Sequence, residues 1–120
     1  MDPFIQLLEG EKVLLELGYR AGLPGWGFQE KAYLTNKRII EHEAFRLCCY
    51  KDQKVYCTYL SDVLSLSYSD NPFLCCCWRH KTIYFKTSLS ARHIRLVGHE
   101  DMDDIVASFT KAIEKAHKEQ

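Results

Sequence analysis

Residues 32–40, AYLTNKRII, are the stretch that decides the fold of this chain. Ala32–Leu34 and the run RIIEH that begins at Arg38 both favour strands, because aromatic and β-branched residues suit a pleated sheet. Thr35-Asn36-Lys37 stands between them, and Thr and Asn side chains satisfy the backbone groups of a turn. The stretch therefore predicts a β-hairpin, in which two antiparallel strands are joined by a tight connection.

The N-terminal side of this hairpin predicts a short helix, one strand and a long loop. Pro3–Glu9 predicts the helix, which Gly10 ends, and the apolar run Val13–Leu17 predicts the first strand. Gly18–Phe28 holds four glycines and one proline. That composition argues against regular structure and predicts a loop.

The C-terminal side of the hairpin alternates apolar runs with polar breaks. Phe45–Tyr50 continues the ribbon, Lys51–Lys54 predicts a polar turn, and Val55–Leu60 predicts another strand. From Val63 to Ser69 apolar residues alternate with serines, which is typical of a half-buried strand. Asp70-Asn71-Pro72 is expected to break that strand.

The last part of the chain predicts two further strands and a helix. Thr82–Thr87 and His93–Val97 favour strands, and Asp101–Lys118 changes to a period of three and four residues. The apolar positions of this helix are Met102, Ile105, Val106, Phe109, Ala112, Ile113 and Ala116. We therefore expect an α+β fold: a PH-like bent antiparallel sheet or open barrel of about seven strands, capped by one C-terminal amphipathic helix.

The composition of the chain limits the classes of protein to which it can belong. The chain has 120 residues, of which 16 are Lys or Arg and 16 are Asp or Glu. We therefore expect a single domain over residues 1–120, without the basic excess that nucleic-acid binding needs. The apolar runs are far shorter than the roughly 20 residues of a membrane span. Because no secretory signal is visible, we expect a cytoplasmic protein whose six cysteines are reduced.

The order of these segments resembles the pleckstrin-homology-like (PH-like) superfamily, in particular its GRAM and bacterial-type PH modules. The resemblance is carried by Gly10-Glu11, the string at residues 32–40, Leu60–Leu66 (LSDVLSL) and the closing helix. It implies the fold and a non-enzymatic binding module. The superfamily includes lipid-headgroup binders, membrane-targeting modules and protein-binding modules, so the resemblance does not choose the ligand.

The first candidate site is the loop Leu23–Phe28. Trp26 and Phe28 on a glycine-rich loop can lie in a membrane interface, with Arg20 and Lys31 attracted to anionic lipid. In the alternative, both rings fold back and cap the end of the barrel. Phosphoinositide-binding PH domains place cations between the positions of Arg20 and Lys31, whereas this chain has apolar residues there.

The second candidate site is the segment Phe73–Lys81. Cys75, Cys76 and Cys77 stand between apolar and basic neighbours and are candidates for S-acylation at a membrane. In the alternative, they pack as small apolar residues of a strand. The C-x2-C spacing of zinc sites is absent, and nothing marks the orienting group and oxyanion site that a catalytic cysteine needs. We therefore expect no metal, no cofactor and no catalytic residue.

These observations predict a non-enzymatic adaptor that binds anionic membrane lipids peripherally. The alternative is a protein–protein interaction module, a subunit or adaptor of a larger assembly, that uses an open strand edge or the same loops. If the strands alternate simply up and down, both loops and the Lys51–Lys54 turn lie at one end of the barrel. The residues expected to contact lipid or partner are Arg20, Trp26, Phe28, Lys31, Phe73, Leu74, Trp78, Arg79 and Lys81.

Overall fold

The computed structural model describes residues 5–21, 26–72, 79–96 and 101–119, with the backbone alone at 19–21, 70–72, 79 and 80. In this part of the chain, seven strands precede one α-helix. A short 3-10 helix, Leu60–Asp62, separates the fourth and fifth strands. The elements are β1 (Val13–Ala21), β2 (Gly27–Thr35), β3 (Arg38–Leu47), β4 (Tyr50–Tyr59), β5 (Ser65–Pro72), β6 (Arg79–Lys86), β7 (Ala91–Leu96) and α1 (Met102–Lys118).

The strands form two antiparallel sheets, one in the order β1-β2-β3-β4 and the other in the order β5-β6-β7. The predicted α+β class is therefore confirmed, and two unclosed sheets with a C-terminal helix are consistent with a PH-like fold. The predicted hairpin is confirmed as well, because Leu34 pairs with Ile39 across the β2–β3 turn.

The main core lies between the two sheets and α1. Leu34, Ile39 and Ile83 are fully buried there, and Phe109 of the helix packs into the same cluster. The predicted helix begins where expected, with the Asp101 carboxylate accepting a hydrogen bond from the Asp103 amide at 2.9 Å. Burial of one face and the cap at the first turn both stabilise α1 in this position.

The predicted helix at Pro3–Glu9 is wrong over its described part. Residues 5–8 have no regular secondary structure, and Ile5 packs against Tyr33 and Ile40 on the outer face of the first sheet. The backbone groups of this segment have other partners: the Gln6 carbonyl accepts from Arg38, and the Leu8 amide donates to the Glu11 carboxylate at 2.9 Å. Gly10 then turns the chain with a φ of 75°.

Three predicted breaks are also wrong in position. Strand β1 extends through Gly18 to Ala21 and β2 begins at Gly27, so the first loop is shorter than Gly18–Phe28. The polar residues Lys51–Lys54 lie within β4, because Tyr50 already pairs with Leu47. Pro72 ends β5 instead of following it; a proline is tolerated at that position because β5 is an edge strand among those described.

Candidate functional site

The first turn of β3 is held by a set of polar side chains that we call the polar lock: Glu11, Thr35, Asn36 and Arg38. The Glu11 side chain is completely buried and accepts from Arg38 Nε at 2.9 Å and from the Thr35 hydroxyl at 2.7 Å. The Thr35 oxygen in turn accepts from the amides of Lys37 and Arg38 at 3.1 and 2.9 Å. Asn36 bridges the backbone of Lys12 and Gly10.

The charge of Glu11 is stabilised within this lock. Burial alone raises the pKa of the carboxyl, but hydrogen bonds from Arg38, the Leu8 amide and Thr35 outweigh burial, and the pKa of Glu11 is lowered. The hydrogen bond to Glu11 raises the pKa of Arg38. The residues that carry the PH-like resemblance therefore act as scaffold, fastening the segment before β1 to the β2–β3 turn.

The inner face of β3 changes character along its length. Alternate residues of a strand share one face. On β3 this face carries Ile39 in the core, then Glu41 and Glu43, and then Phe45 and Leu47 near the second turn. Three environments thus follow one another along a single strand.

The middle environment is an ionic cluster between the sheets, formed by Glu30, Glu41, Glu43, Arg92 and Arg95. Arg92 donates to both oxygens of Glu41, at 2.8 and 3.1 Å, and lies 3.7 Å from the Tyr56 ring centroid. Arg95 lies 3.5 Å from Glu30. Burial raises the pKa of Glu41, and its bonds to Arg92 offset only part of that rise. Bidentate pairing of this kind joins β7 to the first sheet.

Strand β7 runs toward the second turn of β3. Its early residue Arg92 contacts Glu41, whereas its later residue Arg95 lies 5.7 Å from the ring centroid of Phe28, which pairs with Phe45. Pro72 and Arg79, which pair at the ends of β5 and β6, lie beyond the same end of β7. The end of the second sheet at Pro72 and Arg79 therefore lies on the same side of the protein as the second turn of β3.

The second turn of β3 consists of two cysteines. Leu47 pairs with Tyr50, so that Cys48 and Cys49 form a two-residue hairpin turn. Cys48 has a φ of 54°, which the first central residue of such a turn requires and which usually selects glycine. Both thiols are exposed, and the two sulfurs lie 3.6 Å apart.

Four large apolar side chains around this turn are exposed, and we call them the apolar rim. Trp26 is 53% exposed, Phe45 37%, Leu47 50% and Tyr50 59%. The Phe45 and Tyr50 rings meet edge to face with centroids 6.2 Å apart. Arg46 and Lys51 pair on the opposite face of the ribbon and are exposed. The apolar rim and these two cations together form an amphipathic surface.

The predicted contact residues separate into three groups. Trp26 is exposed at the rim, while Phe28 and Lys31 are half-buried. Lys81 is only 8% exposed, which differs from the exposed position expected. It lies on the same face of β6 as the core residues Ile83 and Phe85. The others are outside the described residues or side chains: Arg20, Phe73, Leu74, Cys75, Cys76, Cys77, Trp78 and Arg79.

Sequence reasoning missed Phe45, Arg46, Leu47 and Tyr50. The alternation of Phe45, Arg46 and Leu47 was the available signal, since it places the two apolar residues on one face. This signal was not used because the turn was predicted at Lys51–Lys54. Polar residues are typical of turns and cysteines are not.

A second surface feature lies between β5 and α1. A groove of about 370 Å³ is lined on one side by Leu64 and Leu66 and on the other by Ile113 and His117. Leu64 is 68% exposed. Among the described strands, β5 forms the edge of the second sheet, so this groove lies beside backbone that no described strand covers.

Across the described residues, no cluster of three or more His, Cys, Asp or Glu side chains could hold a metal ion. None of the helices described has both the length and the apolar character needed to cross a membrane. No family model, curated protein or solved structure matches the chain. The PH-like resemblance therefore stays a prediction from the residues that carry it.

Proposed function

We propose that this protein is a peripheral membrane adaptor that contacts anionic lipid through the apolar rim. The proposal is carried by one observation: Trp26, Phe45, Leu47 and Tyr50 are exposed together at one end of the first sheet. The rest of the inner face is occupied by the core and the ionic cluster. Four exposed apolar side chains thus lie together where the first sheet ends.

The residue types at the rim suit a membrane interface. Trp and Tyr place a ring among acyl chains and a polar group near headgroups, and Leu47 and Phe45 add apolar surface. Full burial of such a side chain contributes about 1.5–3 kcal/mol. Because these side chains are already partly covered, we expect about 1 kcal/mol from each, or roughly a fivefold change in partitioning.

Two cations beside the rim favour anionic lipid, and the carboxylate of Asp52, which pairs with Phe45, lies 3.9 Å from a third cation, Lys54. Arg46 and Lys51 are exposed directly behind Leu47 and Tyr50. Each basic side chain close to an anionic surface contributes about 1 kcal/mol. Two cations and four apolar side chains therefore favour binding that is weak, reversible and dependent on salt.

The test is co-sedimentation of the full chain with vesicles of increasing phosphatidylserine content. We expect wild-type binding to rise with anionic lipid and to fall with salt. Trp26→Ala, Leu47→Ser and Tyr50→Ser should each weaken it several-fold. Leu89→Ser is the matched control, because Leu89 is 96% exposed but lies in the β6–β7 turn, from which β7 runs toward the rim.

Two outcomes would count against the proposal. One is absence of binding at any anionic content. The other is an equal loss in Leu89→Ser and Leu47→Ser, which would mean that any exposed leucine supports adsorption to vesicles.

A second candidate function rests on the groove between β5 and α1. An extended segment of a partner protein can add a strand to an open sheet edge and place alternate side chains in a neighbouring groove. Here an apolar side chain of that segment would lie between Leu64 and Ile113. The protein would then act as a protein-binding adaptor without lipid contact.

A displayed library of random extended peptides tests this second function. Peptides selected on wild type should lose binding to Leu64→Arg and keep it on Leu89→Arg, since both substitutions alter exposed leucines. If no peptide is selected, or if Leu64→Arg leaves binding intact, the groove is not the binding surface.

A further inference from the structure

We propose that Cys48 and Cys49, at the tip of the β3–β4 hairpin, are a site of S-acylation by long-chain fatty acids. This inference rests on the proposed function, because it needs the apolar rim to bring the tip to a membrane. It assigns the modification to a different pair of cysteines from the run Cys75–Cys77, which the sequence pattern favoured.

The position of the two thiols carries the inference. They form the whole of a two-residue turn between Leu47 and Tyr50, so they lie at the outermost point of the hairpin. Both are exposed and both are free. A thiol at this point would lie at the depth where the neighbouring apolar side chains enter the interface.

The third described cysteine provides a contrast within the same ribbon. Cys57 lies inside β4, and Arg38 Nη1 of the polar lock lies 3.5 Å from its sulfur. It is exposed too, but it lies far along the strand from the rim and beside a cation. Exposure alone does not distinguish the cysteines; the surroundings of each sulfur do.

The chemistry is thioester exchange with an acyl-coenzyme A. The sulfur of Cys48 or Cys49 attacks the thioester carbonyl, a new carbon–sulfur bond forms, and the bond to coenzyme A breaks. The thiol proton passes to the departing thiolate, so that free coenzyme A is released and no oxidant or reductant is consumed.

The need for a second membrane signal explains why acylation would be useful here. A single acyl chain gives only marginal, reversible binding, and stable anchoring takes two signals. The apolar rim supplies one signal and an acyl chain on the tip supplies the other. Because the sulfurs lie 3.6 Å apart, two chains from this turn would enter the bilayer side by side.

The experiment is metabolic labelling of the full chain with an alkyne-bearing palmitate analogue, read out after release by neutral hydroxylamine, which cleaves thioesters. Wild type should carry a hydroxylamine-sensitive label that the double substitution Cys48→Ser with Cys49→Ser removes. Cys57→Ser should keep the label, and so should the triple serine variant at residues 75–77. Circular dichroism of each variant checks that it is folded.

Two results would overturn the inference. The first is a wild-type chain without hydroxylamine-sensitive label. The second is a label that survives the double substitution, whether or not the triple variant removes it. Vesicle binding of unacylated protein is measured separately: a labelled tip on a protein that does not bind vesicles would count against the proposed function alone.

Discussion

Strand β3 begins and ends in tight turns that have opposite chemistry. At its start, residues 35–38 form a turn around the buried Thr35 side chain, in which a hydroxyl, an amide and a guanidinium satisfy the backbone and the buried Glu11 carboxylate. At its end, Cys48 and Cys49 form an exposed turn between exposed apolar side chains. The polar turn therefore stabilises the fold, whereas the apolar turn is exposed and available to a partner.

Polar residues are usually exposed and apolar residues usually buried, but the two turns of β3 show the opposite arrangement. Polar residues are placed inside at the first turn because each one has partners there. Apolar residues are left exposed at the second turn, where the contact between the Phe45 and Tyr50 rings stabilises only the hairpin itself. Substitutions should therefore have large effects on stability at the first turn and small effects at the second.

The largest effect is expected from Arg38→Ala. It leaves the completely buried Glu11 carboxylate without its cation, and breaking a buried pair from one side costs about 3–5 kcal/mol. Urea unfolding measures the change. Lys37→Ala, in the same turn but exposed, should stay within about 0.5 kcal/mol of wild type; equal losses in the two variants would show that the turn itself, and not the ion pair, is sensitive.

Thr35→Val should cost less, about 1–3 kcal/mol, because the hydroxyl serves two amides and the Glu11 carboxylate, and unsatisfied buried groups carry that penalty. Thr87→Val is the matched control. The Thr87 oxygen accepts from two amides of the β6–β7 turn in the same way, but that turn is exposed. A control that loses as much stability as Thr35→Val would argue against a special role of burial.

The pH dependence of stability should distinguish the polar lock from the ionic cluster. The pKa of Glu11 is lowered on folding, so its contribution is complete above the unfolded value of about 4.3 and is lost as the pH falls through the folded value. The stability advantage of wild type over Glu11→Gln should therefore shrink below that pH.

Glu41 should show the opposite trend. Its pKa is raised by burial, so protonation favours the folded state, and that contribution is lost as the pH rises through the folded value. The advantage of wild type over Glu41→Gln should grow as the pH is lowered toward about 4.3. Chemical unfolding across a pH series measures both, and parallel curves for the two variants would contradict the assigned directions.

At the second turn, Cys48→Gly should stabilise the protein slightly. A residue with a Cβ pays about 1–2 kcal/mol in a left-handed conformation, and glycine loses about half of that in entropy, which leaves a gain of about 0.5–1 kcal/mol. Thermal unfolding measures it. Cys49→Gly lacks the positive φ and should give no gain; stabilisation by both would point to removal of an exposed thiol instead.

The smallest effect on stability is expected from Trp26→Ala. Its ring is more than half exposed, so the melting temperature should stay within a few degrees of wild type while vesicle binding falls. A variant that unfolds would mean that Trp26 supports the fold and does not belong to the surface.

Local patterns predicted the elements whose signals lie in neighbouring residues. The TNK turn, the alternation after Val63 and the period of α1 each express a side-chain preference that acts within a few residues, and each led to the correct type of element. The helix expected at Pro3–Glu9 failed because the Gln6 carbonyl accepts from Arg38, 32 residues later, and the Leu8 amide donates to Glu11. The turn expected at Lys51–Lys54 failed because the register of β3 with β4 placed the turn at two cysteines.

The residues of the candidate site also divide into those that local sequence could identify and those that only the strand register revealed. Trp26 could be selected from its loop composition, but Phe45, Leu47 and Tyr50 became a candidate surface only when the strand register put them on one face beyond the ionic cluster. Lys81 was selected as a surface cation from its neighbours in sequence. Its position on the core-facing side of β6, with Ile83 and Phe85, buried it instead.

By itself the sequence determined the α+β class, the central hairpin and the amphipathic helix, because hydrophobic period and turn chemistry are local properties of the chain. Only the tertiary structure decided which polar residues are buried and which apolar residues are exposed. Burial of the polar residues depends on partners from distant parts of the chain, since Arg38 pairs with Glu11 and Arg92 pairs with Glu41. Exposure of the rim side chains follows because no described neighbour covers them fully.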